Sequence, residues 1–347
     1  MSKYYTLTIQ KVIKETEDAV SIVFDVPANL KEEFSFKAGQ YITLKTIING
    51  KEVRRAYSIC ASPKSNELKV AVKAVENGVF STFATTSLKS GDSLDVFVPE
   101  GKFVLSPEAN KNYLAFAAGS GITPVLSMIK TVLETEKSST FTLVYGNKSA
   151  ANTIFKNQLD ALLEQYPNTF KLNYVFSQER VSDAQFGRIE KGITNYFVKN
   201  IHKEISFDAA FLCGPEEMIN IVSDTLKENN FTENTIHFEL FTASTEENNI
   251  EIEEGKTEVT VLLDDEETTF TMNKTDDILA ASLRNNLDAP YSCQGGVCSS
   301  CLCKVIEGEA VMTKNSILTD GEVEEGVVLA CQAHPTTSKI IIDFDDV

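Results

Sequence analysis

The chain has 347 residues, 42% of them hydrophobic and 24% charged, enough for two or three domains that each build a core. Its net charge of −18 repels phosphate backbones and sets nucleic acid aside as a partner. No apolar run approaches the roughly 18 residues of a membrane span, and MSKYYTLTIQKVIKETEDAV lacks the basic start and apolar core of a signal peptide. The expectation is a cytoplasmic chain without a membrane partner, in a compartment where thiols stay reduced.

Residues 4 to about 106 hold short β-prone runs (YYTLTIQKVI, AVSIVFDV, QYITLKTII, AYSICA, LKVAVKAV, SLDVFV) separated by PAN, AGQ, NGK and SGD. Such spacing predicts an antiparallel barrel or sandwich. Within it, Arg54-Arg55-Ala56-Tyr57-Ser58 precedes VAVKAV, which contains Val72 and Lys73, and then Gly78-Val79-Phe80-Ser81-Thr82. Taken alone, the first is an ordinary strand and the last an ordinary turn.

From about 111 to 237, apolar strands (NYLAFAAG, FTLVYGN, LNYVFS, AAFLCGP) alternate with helix-like TPVLSMIKTVLETE and TIFKNQLDALLEQY. That alternation predicts βαβ units around a parallel sheet. AFAAGSGITP places Gly119-x-Gly121-x-x-Pro124, with Ser120 and Thr123 between, directly after a strand. The usual dinucleotide fingerprint G-x-G-x-x-G is absent, yet the physics is similar. Glycines let a phosphate approach the backbone, a helix N-terminus supplies free N–H groups, and Pro124 suits a first turn. The alternative is a plain strand–turn–helix connection. Lys148 follows the second strand with no nearby acid, and Lys156 comes next. Cations there suit the 2′-phosphate of NADPH, whereas NADH sites use an acid, and both lysines also fit a solvated surface.

FTASTEENNIEIEEGKTE is acidic and aperiodic, a linker over 242–256. Beyond it, TEVTVLLDDEETTFTMN reads as a hairpin, DDILAASLRNN as a short helix and SKIIIDFDD as a last strand. From Ala243 onward there are 22 acidic and 6 basic residues, against 28 and 26 in the rest, so the C-terminal third is a separate acidic unit. It also holds SCQGGVCSSCLC, four cysteines in twelve positions. An odd total of seven and this crowding argue against a disulfide framework. The spacing Cys293-x4-Cys298-x2-Cys301, with Cys331 beyond, is that of a plant-type [2Fe–2S] site, in which four thiolates surround two irons. Structural zinc prefers paired C-x2-C knuckles or mixed Cys and His, and the nearby histidine is His334. Cys303 falls outside the spacing, and a zinc-stabilised binding module stays open as a rival.

PYSCQGGVCSSCLCKVIEGEA with LACQAHP resembles the loop of plant-type ferredoxins, which implies a β-grasp (α+β) fold over 257–347 and Cys293, Cys298, Cys301 and Cys331 as iron ligands. The order of RRAYSIC, GVFST, AAGSGITP, CGPEEM and TIHFELF resembles the ferredoxin–NADP reductase family. That resemblance implies an FAD-binding β-barrel over 1–106 and an α/β NAD(P)-binding domain over 107–241. Arg55 would meet the flavin pyrophosphate, with Ala56 beside it. Tyr57 would pack on the isoalloxazine, and Ser58 would sit near its reactive edge. Val72, Lys73 and Gly78 to Thr82 would complete the flavin site. Cys213, Gly214 and Pro215 would lie beside the nicotinamide, with Glu239 and Phe241 folded back near the ring. Ser58, Cys213 and Glu239 are the catalytic candidates. The implied route runs from NADPH (NADH being possible) through FAD and [2Fe–2S] to a carboxylate-bridged di-iron oxygenase that epoxidises an aromatic ring. Rieske or steroid hydroxylases and hybrid-cluster proteins are alternative acceptors. No Glu-x-x-His pair on a helix marks this chain as the oxygenase itself.

Overall fold

The structure, a computed structural model, describes residues 4–241, 252 and 254–347, so most of the linker expected at 242–256 lies outside the described residues. These residues form two compact units. The larger gathers Tyr5–Val53 and Tyr57–Glu239, and the smaller gathers Leu240–Val347 with Tyr4 and Arg54–Ala56.

The first six strands are β1 (Tyr4–Thr16), β2 (Ala19–Asp25), β3 (Tyr41–Ile48), β4 (Lys51–Ser58), β5 (Leu68–Lys73) and β6 (Ser93–Phe97). They pair in the order β4-β3-β6-β1-β2-β5, and a bridge from Ile59 to Val70 draws the outer ends together, so the sheet curls into the expected antiparallel barrel. Asn49 and Gly50 turn β3 into β4 with positive φ of 52° and 75°, a backbone twist that suits a two-residue hairpin. Inward-facing Leu7, Ile9, Ile22, Ile42, Leu44 and Val70 fill the interior. The GVFST segment, expected as a turn, is instead the start of helix α1 (Val79–Thr86). Phe80 and Ala84, four residues apart, bury one helical face while Thr82 and Thr86 face water, and the turn lies just before the helix, where Asn77 takes φ 59°.

Strands β7 (Asn112–Ala118), β8 (Thr140–Asn147), β9 (Phe170–Phe176), β10 (Ala184–Phe186), β11 (Ala209–Cys213) and β12 (Ile236–Glu239) form a parallel sheet ordered β10-β9-β8-β7-β11-β12. The short β10 adds to the sequence reading, since three residues are too few to show alternation. Helices α2 (Ile122–Thr135), α3 (Lys156–Gln165), α4 (Lys191–Asn195) and α5 (Glu216–Glu228) lie between strands. Helix α3 starts later than its sequence pattern suggests because Phe155 takes left-handed backbone, φ 62°. Barrel and parallel sheet share a core. Ala38, Cys60, Phe103 and Leu105 cluster with Ile122, Leu126 and Met128 of α2. Ser127 Oγ donates to the Ala61 carbonyl at 2.6 Å, and Lys130 Nζ donates to the Cys60 carbonyl at 3.2 Å.

The smaller unit contains β13 (Lys256–Leu263), β14 (Glu266–Asn273), α6 (Ile278–Arg284), β15 (Leu302–Glu307), β16 (Ala310–Met312), β17 (Val327–Leu329), β18 (Ala333–Pro335) and β19 (Lys339–Asp343). Its main sheet runs β14-β13-β19-β15-β17. The last strand is inserted centrally, parallel to β13 and antiparallel to β15. The β13–β14 hairpin turns at Asp264 and Asp265, both at positive φ, and the Asp345 carboxylate accepts their two N–H groups at 3.0 and 3.1 Å. Asp277 caps α6 by accepting the Ala280 N–H at 2.7 Å. Ile278, Leu279 and Ala281 then bury against Val259, Val261, Ile340 and Ile342, which gives the expected grasp of one helix by a mixed sheet.

Gly39 tests the shared core. It has φ 103°, and a Cβ there would lie 2.0 Å from the Phe103 carbonyl oxygen and 2.6 Å from Met128. Gly39→Ala is expected to destabilise the larger unit by at least about 2 kcal/mol through strain and backbone displacement. An unmoved denaturant midpoint would contradict this packing.

Candidate functional site

Strand β4 carries Arg55, Ala56, Tyr57 and Ser58 in succession, so alternate side chains face opposite ways. Arg55 is exposed and donates to the Arg54 carbonyl at 2.6 Å. The half-buried Tyr57 ring leans on Phe80 of α1, with centroids 5.4 Å apart and planes at 36°. Ser58 is buried, and its hydroxyl donates to Glu239 Oε2 at 3.2 Å. Glu239 ends β12, and its register partner is Cys213, the last residue of β11. The parallel sheet thus presents Cys213 and Glu239 together at its C-terminal edge, and the barrel brings Ser58 to them. All three catalytic candidates converge within the larger unit.

Electrostatics gives the group its character. The Glu239 residue keeps some surface, but its carboxyl is withdrawn from water, and desolvation pushes it up to about 8 despite the Ser58 hydrogen bond. Near neutral pH it holds its proton. Burial also pushes the Cys213 thiol well up, with a smaller contribution from Glu239, so the thiol stays neutral. A neutral group tolerates an incoming hydride better than two fixed anions would.

Around it lie two turns that suit phosphates. Gly78 precedes α1, whose start has no side-chain cap. A Cβ on Gly78 would meet Ser81 Oγ at 2.2 Å, so glycine is required. Ser81 Oγ accepts the Val75 N–H at 3.2 Å, which commits that hydroxyl to the turn and leaves Thr82 exposed. Val72 is sealed in the barrel core, and Lys73 pairs with Asp18 at 3.6 Å. The second turn is Gly119–Gly121, which enters α2. Gly119 has φ 55°, and no atom lies within 4 Å of where its Cβ would stand. Gly121 packs under β11, where a Cβ would stand 2.1 Å from the Cys213 carbonyl oxygen. Ser120 takes the Thr123 hydroxyl on its carbonyl at 3.0 Å, and Pro124 sits in the first turn. The start of α2 carries no acid and no side-chain cap, whereas α5, entered through Gly214 and Pro215, has Glu216 and Glu217 in its first turn. An anion therefore favours α2.

Lys148 is exposed just past β8, its carbonyl held by the Gln178 N–H at 2.9 Å. Lys156 is engaged, bound to Asp160 at 2.7 Å and lying 4.9 Å above the Tyr174 ring. Phe241 belongs to the smaller unit and is 39% exposed. Asn147, which the sequence reading did not single out, ends β8 with its side chain hydrogen-bonded to the buried Tyr145 hydroxyl. Its place immediately before Lys148 was the available signal.

In the smaller unit the thiols associate two by two. Cys293 hydrogen-bonds with Cys298, and Cys301 with Cys331. Within the pairs, Cys293 and Cys331 are lowered by their thiol partners and by backbone N–H groups, while Cys298 and Cys301 are raised. Gly295 N–H donates to Cys293 Sγ at 3.3 Å. Gln294 and Gly296 take positive φ of 53° and 72°, which wraps backbone around the sulfurs. Among the described residues no three metal-ligating side chains, His334 included, gather as one ion requires. Two thiol pairs, one per iron, fit a two-iron cluster. The Ser292 hydroxyl is buried beside Cys293 without a partner, a donor left over for a sulfur-rich group. Cys303 lies in β15 with its thiol pushed up by burial, a core residue.

Three stretches match known families: an oxidoreductase FAD-binding domain over 6–105, an oxidoreductase NAD-binding domain over 116–224 and a 2Fe-2S iron-sulfur cluster binding domain over 261–336. The chain is 42% identical to a component of the 1,2-phenylacetyl-CoA epoxidase of Escherichia coli K12, over 99% of each chain. It is 32% identical to the ferredoxin reductase component of 3-ketosteroid-9-alpha-monooxygenase of Rhodococcus rhodochrous, over 99% of this chain and 97% of the other. Phthalate dioxygenase reductase, a modular structure for electron transfer from pyridine nucleotides to [2Fe–2S], shares the fold over 98% of both chains at TM-score 0.61 and 24% identity. FAD, a pyridine nucleotide and a [2Fe–2S] cluster are accordingly its cofactors, and no helix among the described residues is long and apolar enough to cross a membrane. The chain belongs to the family of ferredoxin reductase components of oxygenases.

Proposed function

We propose that this chain is the NADPH-dependent reductase of a phenylacetyl-CoA epoxidase and delivers electrons to a di-iron oxygenase in phenylacetate degradation. The observation that carries the reading is the end-to-end likeness to the epoxidase component at 42% identity. The steroid monooxygenase reductase, at 32%, supports service to another oxygenase as the second reading. We assign 1–106 to FAD, 107–241 to NADPH and 257–347 to the cluster. We place the chain in the cytoplasm, where its seven free thiols would stay reduced.

When bound, FAD accepts a hydride from the nicotinamide and the [2Fe–2S] cluster relays electrons singly to an external acceptor. The protein's part is positioning and charge control. The α1 turn would hold flavin phosphate, and Tyr57 would present an aromatic face to the ring. Gly119 and the start of α2 would bind the nucleotide pyrophosphate. Lys148, with no ion-pair partner among the described residues, is the candidate for the 2′-phosphate in preference to the engaged Lys156. Ser58, Cys213 and protonated Glu239 would keep the hydride path neutral and dry.

Three outcomes are expected. With purified di-iron epoxidase and phenylacetyl-CoA, the reconstituted chain should support NADPH-dependent epoxide formation; rapid cytochrome c reduction without epoxide would refute the acceptor. Lys148→Glu should lower kcat/KM for NADPH by about tenfold to hundredfold, the worth of a charged hydrogen bond, and spare NADH. Equal losses for both nucleotides would remove Lys148 from the 2′-phosphate site. Above pH 8, Glu239 ionises and adds negative charge to the hydride path, so flavin reduction followed by stopped flow should slow as pH rises through about 8. In Glu239→Gln, neutral at every pH, that inflection should vanish; its persistence would assign the titration to another group.

A further inference from the structure

Gln332 follows the ligand candidate Cys331 directly, and its side-chain amide is held in one orientation. Its nitrogen faces three acceptors: the Cys331 carbonyl at 2.8 Å, the Gln294 carbonyl at 3.5 Å and Cys331 Sγ at 3.8 Å. Its oxygen accepts the Thr313 hydroxyl at 3.1 Å. Turning the amide over would set an oxygen against two carbonyls and a thiolate, so the N–H side must face the sulfur. The main chain fixes the same pair, since Thr313 N–H donates to the Gln332 carbonyl at 2.9 Å. Gly296 makes room, because a Cβ there would lie 3.0 Å from Gln332 Cγ. This amide thus bridges the loop that carries Cys293 and Cys298 to the segment that carries Cys331.

We propose that Gln332 is a tuning donor to the iron–sulfur cluster, with Thr313 as its positioning residue: an N–H directed at the Cys331 sulfur stabilises the reduced cluster and raises its reduction potential. The role rests on the cluster reading above. Reduction adds one electron, whose charge spreads over the irons and their sulfurs; no proton moves and no bond breaks. A donor dipole pointed at sulfur stabilises the more negative state more than the oxidised one. The cluster becomes a better acceptor within the chain, at the expense of driving force toward the oxygenase.

The test is a redox titration of the full chain, anaerobically reconstituted with FAD and cluster and followed by electron paramagnetic resonance. Iron and acid-labile sulfide are measured per chain. Gln332→Leu keeps the shape and removes the donor. Its reduction equilibrium should fall about tenfold relative to the parent, or about 59 mV for one electron, with unchanged cluster content. Thr313→Val, which frees the amide without removing it, should shift the potential the same way by less. A fully loaded Gln332→Leu with an unmoved potential overturns the role and leaves the cluster reading intact. If Gln332→Leu fails to hold iron, Thr313→Val decides: a lowered potential supports the role, and an unmoved one overturns it. A parent chain that takes up no acid-labile sulfide overturns the cluster reading and this role together.

Discussion

The Gly119–Gly121 turn can approach β11 only because Gly121 has no side chain. With the Cys213 carbonyl 2.1 Å from where a Cβ would stand, the first turn of α2 rests directly on the end of the neighbouring strand. That contact sets the start of α2 beside Cys213, and strand register then sets Glu239 beside Cys213. The barrel docks on α2 through Ser127 and Lys130, which brings Ser58 to the Glu239 carboxyl. A single steric allowance thereby coordinates three elements that are distant in sequence. The product is a buried group in which a thiol, a hydroxyl and a protonated carboxyl meet without net charge.

The smaller unit answers a different requirement. Four thiols left to themselves repel as thiolates and are costly to bury. Here the thiols hydrogen-bond in pairs through their protons, and backbone N–H groups from the 294–298 loop face the sulfurs. Two irons and two sulfides would replace those protons with positive charge while using the same donors. Gln332 and the orphan Ser292 hydroxyl extend this supply of donors beyond the loop backbone.

Legibility in the sequence followed the range of the interactions. Cysteine spacing is local, and the four cysteines it singles out associate in two thiol pairs in the structure. Strand–helix alternation over 111–237 is local too, and it predicted the parallel sheet. Where neighbours in space decided, reading failed or stayed open. GVFST became a helix because Phe80 and Ala84 had a barrel face to cover. Lys156 looked available until folding placed Asp160 and Tyr174 against it. Val72, beside a plausible flavin strand, points into the core.

The sequence by itself determined the order of the three modules, the four-cysteine set and the two glycine turns, because spacing and backbone permissiveness are properties of short stretches. Only tertiary structure decided which titratable groups share an environment. Ser58 and Glu239 are far apart in the chain, and nothing in either segment announces the other. Desolvation, which raises the Glu239 carboxyl to about 8, exists only once barrel and parallel sheet close around it.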